Sequence, residues 1–166
     1  MAIHGDSQRH PSALLRQRAA ANLVDLQQLA NETPDAELTE DARLDERLAQ
    51  VVVWYEPMLL VSTRLPACQV PRPIADAFAE AAAEALENIV RHAQTERALL
   101  ALDNVDGLVR VTVTDHGRGF EPAGRTDQHF GLREAMLGRM AAAGGKARVE
   151  SRPGHGTVVV LEWRRG

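Results

Sequence analysis

The stretch 74–93, IADAFAEAAAEALENIVRHA, limits what this chain can fold into more than any other. Alanine and glutamate are strong helix formers, and Pro73 suits a first helical turn, where its missing N–H costs nothing. The spacing predicts a long helix over 74–93. Two strands are predicted after it, at about 96–103 (ERALLALD) and 108–114 (LVRVTVT). The turn-rich connection 104–107 joins them as a hairpin. The glycine-rich segment 115–131, DHGRGFEPAGRTDQHFG, reads as loop. A further helix is predicted over about 132–143, ended by Gly144-Gly145 as helices commonly are. KARVES (146–151) and TVVVLEW (157–163) are predicted as closing strands around the turn RPGHG.

Before the long helix the chain alternates helix and break. Residues 12–30 place Leu15, Ala19, Leu23, Leu26 and Ala30 at three- and four-residue steps, a helical pattern. NETPDAELTED, with Pro34 among polar residues, reads as a linker. Residues 42–55 form a second helix, with Leu44, Leu48, Val51 and Val52 on one side, and Pro57 stops it. MLLVSTRL (58–65) is short and rich in branched residues, so a strand is predicted, and Pro66, Pro71 and Pro73 mark a connection. The whole order is helix, strand, helix, strand, strand, loop, helix, strand, strand. It implies an α+β fold, a two-layer sandwich with helices on one face of a mixed, mostly antiparallel sheet. Residues 1–41 are an N-terminal helical extension and linker, and 42–166 are the folded domain.

Composition removes several functions. With 45% hydrophobic residues the chain can build a core, and with 4% aromatics that core rests on Ala, Val, Leu and Ile. A formal charge of −4 argues against nucleic acid as a partner, since its binders carry a basic footprint. The one cysteine, Cys68, excludes an internal disulfide and a cysteine zinc cage within one chain. The polar start MAIHGDSQRHP has no secretory apolar run, and no apolar stretch approaches a membrane span. A cytoplasmic chain without membrane contact of its own is expected.

Four pieces that can carry chemistry occur in order: E-x-x-x-N-x-x-R-H in the long helix, D-x-G-x-G-F after a strand, a glycine-rich loop into a helix, and P-G-x-G-T before the last strand. Glu84 and Asn88, four apart, share a helix face that Arg91 and His92 continue. A carboxylate there can orient or deprotonate a nucleophile. An amide oxygen is a hard ligand suited to Mg²⁺, and a cation one turn on can neutralise phosphate. Taken alone, the same residues are an ordinary solvated helix face. Asp115 at a strand end can accept a hydrogen bond from an exocyclic amine, which separates adenine from guanine. Gly117 and Gly119 allow close backbone approach or positive φ, as they would in a plain turn. The segment from Gly124 to Gly131 reads as a lid or as a surface loop. Its exit, Phe130-Gly131-Leu132, opens a helix whose N–H groups could meet phosphate. The run 153–157 is a tight turn whether or not it also binds.

In order and spacing, the four pieces resemble the ATP-binding catalytic domains of two-component sensor histidine kinases, members of the GHKL ATPases with the Bergerat fold. EALENIVRHA looks like their N box, DHGRGF like the G1 box, and GLREAMLGRMAAAGGKARVESRPGHGT like the G2 region and closing strands. The H-A after the N box resembles the subclass that pairs with helix-turn-helix response regulators. The resemblance covers 45–164 and is specific from 80 to 162. It implies ATP and Mg²⁺ as cofactors. Glu84 would polarise the attacking group or a water, Asn88 would hold Mg²⁺, Arg91 would approach the phosphates, and His92 would lie by ribose or phosphates. Asp115 would take the adenine amine, with Gly117, Gly119 and Phe120 in that wall. Gly131 and Leu132 would close the lid side, and Gly156 and Thr157 would sit near the adenine. The implied reaction is transfer of the γ-phosphoryl to a histidine.

The acceptor histidine is where the chain departs from the family. His4 precedes Gly5 and His10 precedes Pro11, so neither has the His-acidic pattern of an acceptor helix. Residues 12–30 resemble the second helix of a dimerising hairpin, which implies a homodimer or pairing with a full-length kinase. The partners implied are a response regulator and a histidine-bearing helix from another chain or a missing N-terminal region. An anti-sigma-factor-type serine kinase or an inactive nucleotide-binding module is the alternative. The long segment from 141 to 157 favours the histidine-kinase branch, because anti-sigma kinases have a shorter and less regular one.

Overall fold

The computed structural model describes residues 40–121 and 128–166. They belong to one compact unit, Leu38–Gly166. The expected helix over 12–30 and residues 31–39 of the linker after it lie outside the described residues; of the linker's last two residues, Asp41 begins a strand.

Among the described residues, three α-helices, one π-helical turn and two sheets make up this unit. Helix α1 (Leu44–Tyr55) buries Leu44, Leu48, Val52 and Tyr55. These positions fall at three- and four-residue steps, so one stripe faces inward. Helix α2 (Arg72–Asn88) buries Ile74, Ala75, Ala77, Phe78, Ala81, Ala82, Ala85 and Leu86. Its alanines let the helix lie close to its neighbours, and Phe78, fully buried, supplies bulk that few other residues here can. Helix α3 (Gln128–Ala142) contributes Met136 and Met140 to the same core.

The large sheet has five strands: β2 (Leu60–Arg64), β4 (Arg97–Val105), β5 (Leu108–Asp115), β6 (Lys146–Arg152) and β7 (Gly156–Arg164). Their spatial order is β2-β4-β5-β7-β6. The β2–β4 pair is parallel and the rest are antiparallel, giving the mixed, mostly antiparallel sheet that was expected. Alternate residues point at the helical layer: Leu100 and Leu102 on β4, Val109, Val111 and Val113 on β5, Val159 and Leu161 on β7. The helices cover that face alone, so the α+β two-layer sandwich is the observed architecture.

Several boundaries differ from the expectations. Residues 42 and 43 are not helical. They belong to β1 (Asp41–Arg43), which pairs antiparallel with β3 (Gln69–Pro71) in a small second sheet. The Leu44 N–H donates to the Cys68 carbonyl at 2.9 Å, tying the start of α1 to that strand pair. Asp45 adds a buried anchor. Its carboxylate takes two bonds from the Arg43 guanidinium, at 3.0 and 2.6 Å, and one from the Cys68 N–H at 2.9 Å. The Arg43 bond, opposed by burial, holds its pKa at about 2. The 74–93 helix begins two residues earlier, at Arg72. Its end, Ile89–Ala93, is a π-helical turn closed by Gln94 at a left-handed φ of 55°. Helix α3 begins at Gln128, four residues before the expected start.

Among the described residues, no helix is long and apolar enough to cross a membrane.

Candidate active site

The antiparallel register carries the apolar core face of the sheet to its end and there turns it polar. One row across β4, β5, β7 and β6 is Leu100, Val113, Val159, Val149. The next row on the same face, two residues along each strand, is Ala98, Asp115, Thr157, Ser151. Directly paired residues of neighbouring strands point to one side, so three polar side chains stand together where the strands end, under the helical layer. Asp115 is 3% exposed, Ser151 6% and Thr157 7%.

Buried polar groups need partners, and these have them. The Asp115 Oδ1 accepts the Gly117 N–H at 2.7 Å. Burial pushes the Asp115 carboxyl up, while the N–H groups of Gly117 and Thr157 pull it down. The Ser151 hydroxyl contacts the Phe120 N–H, the Gly156 carbonyl and the Thr157 hydroxyl, each at 2.9 Å.

Three glycines make this corner possible. A Cβ on Gly117 would lie 2.1 Å from the Ala93 carbonyl oxygen. On Gly119, at φ +61°, it would lie 2.0 Å from the Arg152 carbonyl oxygen, and on Gly156, at φ +77°, 2.0 Å from that of Asp115. Only glycine accepts both the close approach and the left-handed backbone. The loop after β5 is thereby threaded between the end of α2 and the 153–156 turn. The Arg118 N–H donates to the Ala93 carbonyl at 2.8 Å, and the Arg118 carbonyl accepts the Gly154 N–H at 2.6 Å.

The π turn delivers the helix end to this loop. A π turn inserts one extra residue and rotates the segment beyond it, and such turns are frequent at functional sites. Asn88 closes the α-helical part of α2, and five residues later Ala93 is bonded to the loop. The His92 carbonyl accepts the Arg118 Nε–H at 2.6 Å. Arg91 is paired with Glu87, Nε to Oε1, at 2.6 Å. Tyr55 of α1 lies by this pair, and burial, with the Glu87 carboxylate adding to it, pushes the phenol far up. Glu84 is bound from α3. The Arg139 Nη1 reaches its Oε2 at 2.7 Å, and the Arg139 Nε reaches Glu80 at 2.7 Å. Burial raises the Glu84 pKa against the lowering effect of Arg139.

The predicted residues fall into two groups. Asp115, Gly117, Gly119, Phe120, Gly156 and Thr157 meet in one corner, and His92 joins it through Arg118. Glu84, Asn88 and Arg91 follow along the adjoining helix. Gly131 lies inside the first turn of α3 and not before it, and a Cβ added there would meet nothing within 4 Å. Leu132 is in the same helix, and its side chain is outside the described residues. Sequence reasoning missed Ser151, Arg139 and Glu87. Ser151 could have been found from β6, where the inward alternation Ala147, Val149, Ser151 ends in a hydroxyl.

A two-layer α+β sandwich with a buried carboxylate, glycine-threaded loops and a polar helix end defines an ATP-binding domain of the histidine-kinase type. The family model described as histidine kinase-, DNA gyrase B-, and HSP90-like ATPase matches residues 74–166, more than half of the chain, and the chain belongs to that family. It is similar to Sensor protein VraS of Staphylococcus aureus, at 27% identity over 126 residues, which cover 74% of this chain and 36% of that protein. It is also similar to the nitrate/nitrite sensor protein NarX of Escherichia coli, at 32% identity over 98 residues, 59% of this chain and 16% of that one. The chain thus spans about a third or less of the length of these relatives. Among solved structures, the histidine kinase domain from the Erythrobacter litoralis blue-light activated histidine kinase shares the fold, with a TM-score of 0.71 at 21% identity, over 96% of this chain and 77% of that one.

Proposed function

We propose that this chain binds ATP·Mg²⁺ and transfers the γ-phosphoryl group to a histidine carried by another chain or by a region outside this sequence, in two-component signalling. The observation that carries the reading is the polar row Asp115–Thr157–Ser151 at the end of an otherwise apolar sheet face. A buried carboxylate kept clear by three glycines suits the amine of adenine. Gly117 and Gly119 shape that wall, with Phe120 beside them and Gly156 and Thr157 opposite. The residues present also fit Mg²⁺, because one amide oxygen, from Asn88, suits an ion that keeps waters and phosphate oxygens as its other ligands.

Arg91, oriented by Glu87, would balance phosphate charge, and His92 would lie by the ribose or phosphates. Gly131 and Leu132 would close the lid side at the start of α3. Glu84 would polarise the attacking imidazole, its carboxylate steered by Arg139. Transfer forms an N–P bond to the acceptor histidine and breaks the bond between the γ-phosphorus and the bridging oxygen. ADP leaves, and the imidazole proton goes to a base. Positioning and charge stabilisation supply most of the acceleration in such transfers. A response regulator would then receive the phosphoryl group, and residues 12–30 would supply a dimer contact.

The test is calorimetry with ATP and GTP, each with and without Mg²⁺. Incubation with labelled ATP comes next, alone and with a histidine-bearing kinase helix domain. Mg²⁺-dependent ATP binding and label on the added domain are expected. Failure to bind ATP overturns the reading. Binding without any transfer would leave a nucleotide-binding regulatory module in its place.

A further inference from the structure

The corner holds one polar side chain to which no motif assigns a role, and its bonds fix the direction of a proton. A serine hydroxyl has one hydrogen and two lone pairs. The Gly156 carbonyl has no hydrogen, so its 2.9 Å contact with Ser151 Oγ consumes the serine proton. The Phe120 N–H, at 2.9 Å, takes one of the serine lone pairs. The remaining contact, 2.9 Å to Thr157 Oγ1, can then form in one sense only, with threonine donating and serine accepting. The Thr157 proton therefore points at Ser151, and Thr157 turns lone pairs alone toward the rest of the site.

We infer that Ser151 is a specificity-determining residue: by taking the Thr157 proton it makes Thr157 an acceptor beside Asp115, so that the site selects a purine with an amine at position six over one with a carbonyl there. This rests on Asp115 as the adenine contact. Asp115 and Thr157 are directly paired across β5 and β7, so the two acceptors stand side by side. An amine can donate to both, whereas a carbonyl meets lone pairs and leaves buried acceptors unmatched. Ser151 acts through Thr157 and is 6% exposed, so it has no need to touch the nucleotide.

The experiment measures affinity of the full chain for ATP and for inosine triphosphate, which differ at that position in the sense required. With Ser151→Ala, the Thr157 hydroxyl is free to turn and donate to a carbonyl. The ATP-to-inosine-triphosphate affinity ratio falls by roughly tenfold, the size of one hydrogen bond changing sense. Ser151→Cys keeps the volume with a weak sulfur acceptor, and serves if the alanine variant folds poorly. In a Thr157→Val background, Ser151→Ala changes the ratio no further, since the group it acts through is gone. Equal weakening of both nucleotides in Ser151→Ala and Ser151→Cys, with the ratio unchanged, overturns the inference and leaves Ser151 as loop support. Asp115→Asn separates the two levels. Unchanged ATP affinity there sinks the adenine assignment itself, whereas weakened ATP binding with an unmoved Ser151 ratio sinks this inference alone.

Discussion

Arg139 of α3 reaches Glu84 of α2 at 2.7 Å, and the same guanidinium holds Glu80 at 2.7 Å. One side chain thus ties the helix after the 122–127 segment to the helix that bears Asn88. Arg139 lowers the Glu84 pKa and burial raises it. In Arg139→Gln burial and the neighbouring Glu80 carboxylate remain, both raising, so the Glu84 pKa rises further. An acid whose folded pKa lies above its unfolded value loses stability as pH rises between the two, because the unfolded chain releases its proton first. The variant is expected to be about 1 kcal/mol less stable than the wild type near neutral pH, a size set by the partial exposure of the pair. The gap narrows toward about pH 4, where Glu84 is protonated in both. Urea unfolding at the two pH values checks this, and a gap independent of pH would assign the loss to packing.

Asp115→Asn replaces a charged acceptor by an amide that presents a donor to the adenine amine. ATP affinity is expected to fall about tenfold or more, the loss typical of a charge-assisted bond. The unliganded variant is expected to be no less stable than the wild type at neutral pH. Burial penalises the ionised carboxylate there, and an amide escapes that penalty. Calorimetry and thermal unfolding measure both. Undiminished ATP binding would remove the assignment.

Asn88→Ala removes the one oxygen donor assigned to Mg²⁺. Titration of ATP into the variant with and without Mg²⁺ should give the same affinity, where the wild type shows a difference. The fold should survive, because Asn88 is only half-buried at the end of α2. A variant that responds to Mg²⁺ like the wild type would refute the role.

Gly117→Ala and Gly138→Ala are the same chemical change with opposite expected signs. The first puts a methyl 2.1 Å from the Ala93 carbonyl oxygen and must push the loop off the helix end. A loss of about 2 kcal/mol or more is expected, as for other overpacked sites, together with weaker ATP binding. Gly138 lies exposed within α3 with nothing within 4 Å of the added carbon. Alanine there should stabilise by about 0.5–1 kcal/mol through helix propensity. Denaturant unfolding of the two variants checks both signs.

What could be read from the chain was whatever local forces decide. Alanine and glutamate set the long helix, alternation set the strands β4, β5, β6 and β7, and Gly144-Gly145 closed α3. The sandwich and the candidate residues around Asp115 came from the order of these pieces. The tertiary structure decided what depends on residues far apart. Strands β1 and β3 have three residues each and exist because 41–43 meet 69–71. Strand β2 was visible, but its parallel place beside β4 was not. The π turn, the Arg139 bridge and the Ser151 hydroxyl hub likewise arise only when separate elements close on one another. Propensity and periodicity act over a few residues along the chain. A buried hydrogen bond takes its direction from every partner brought to it, and those partners come from β5, β6, β7 and the loop between β5 and α3.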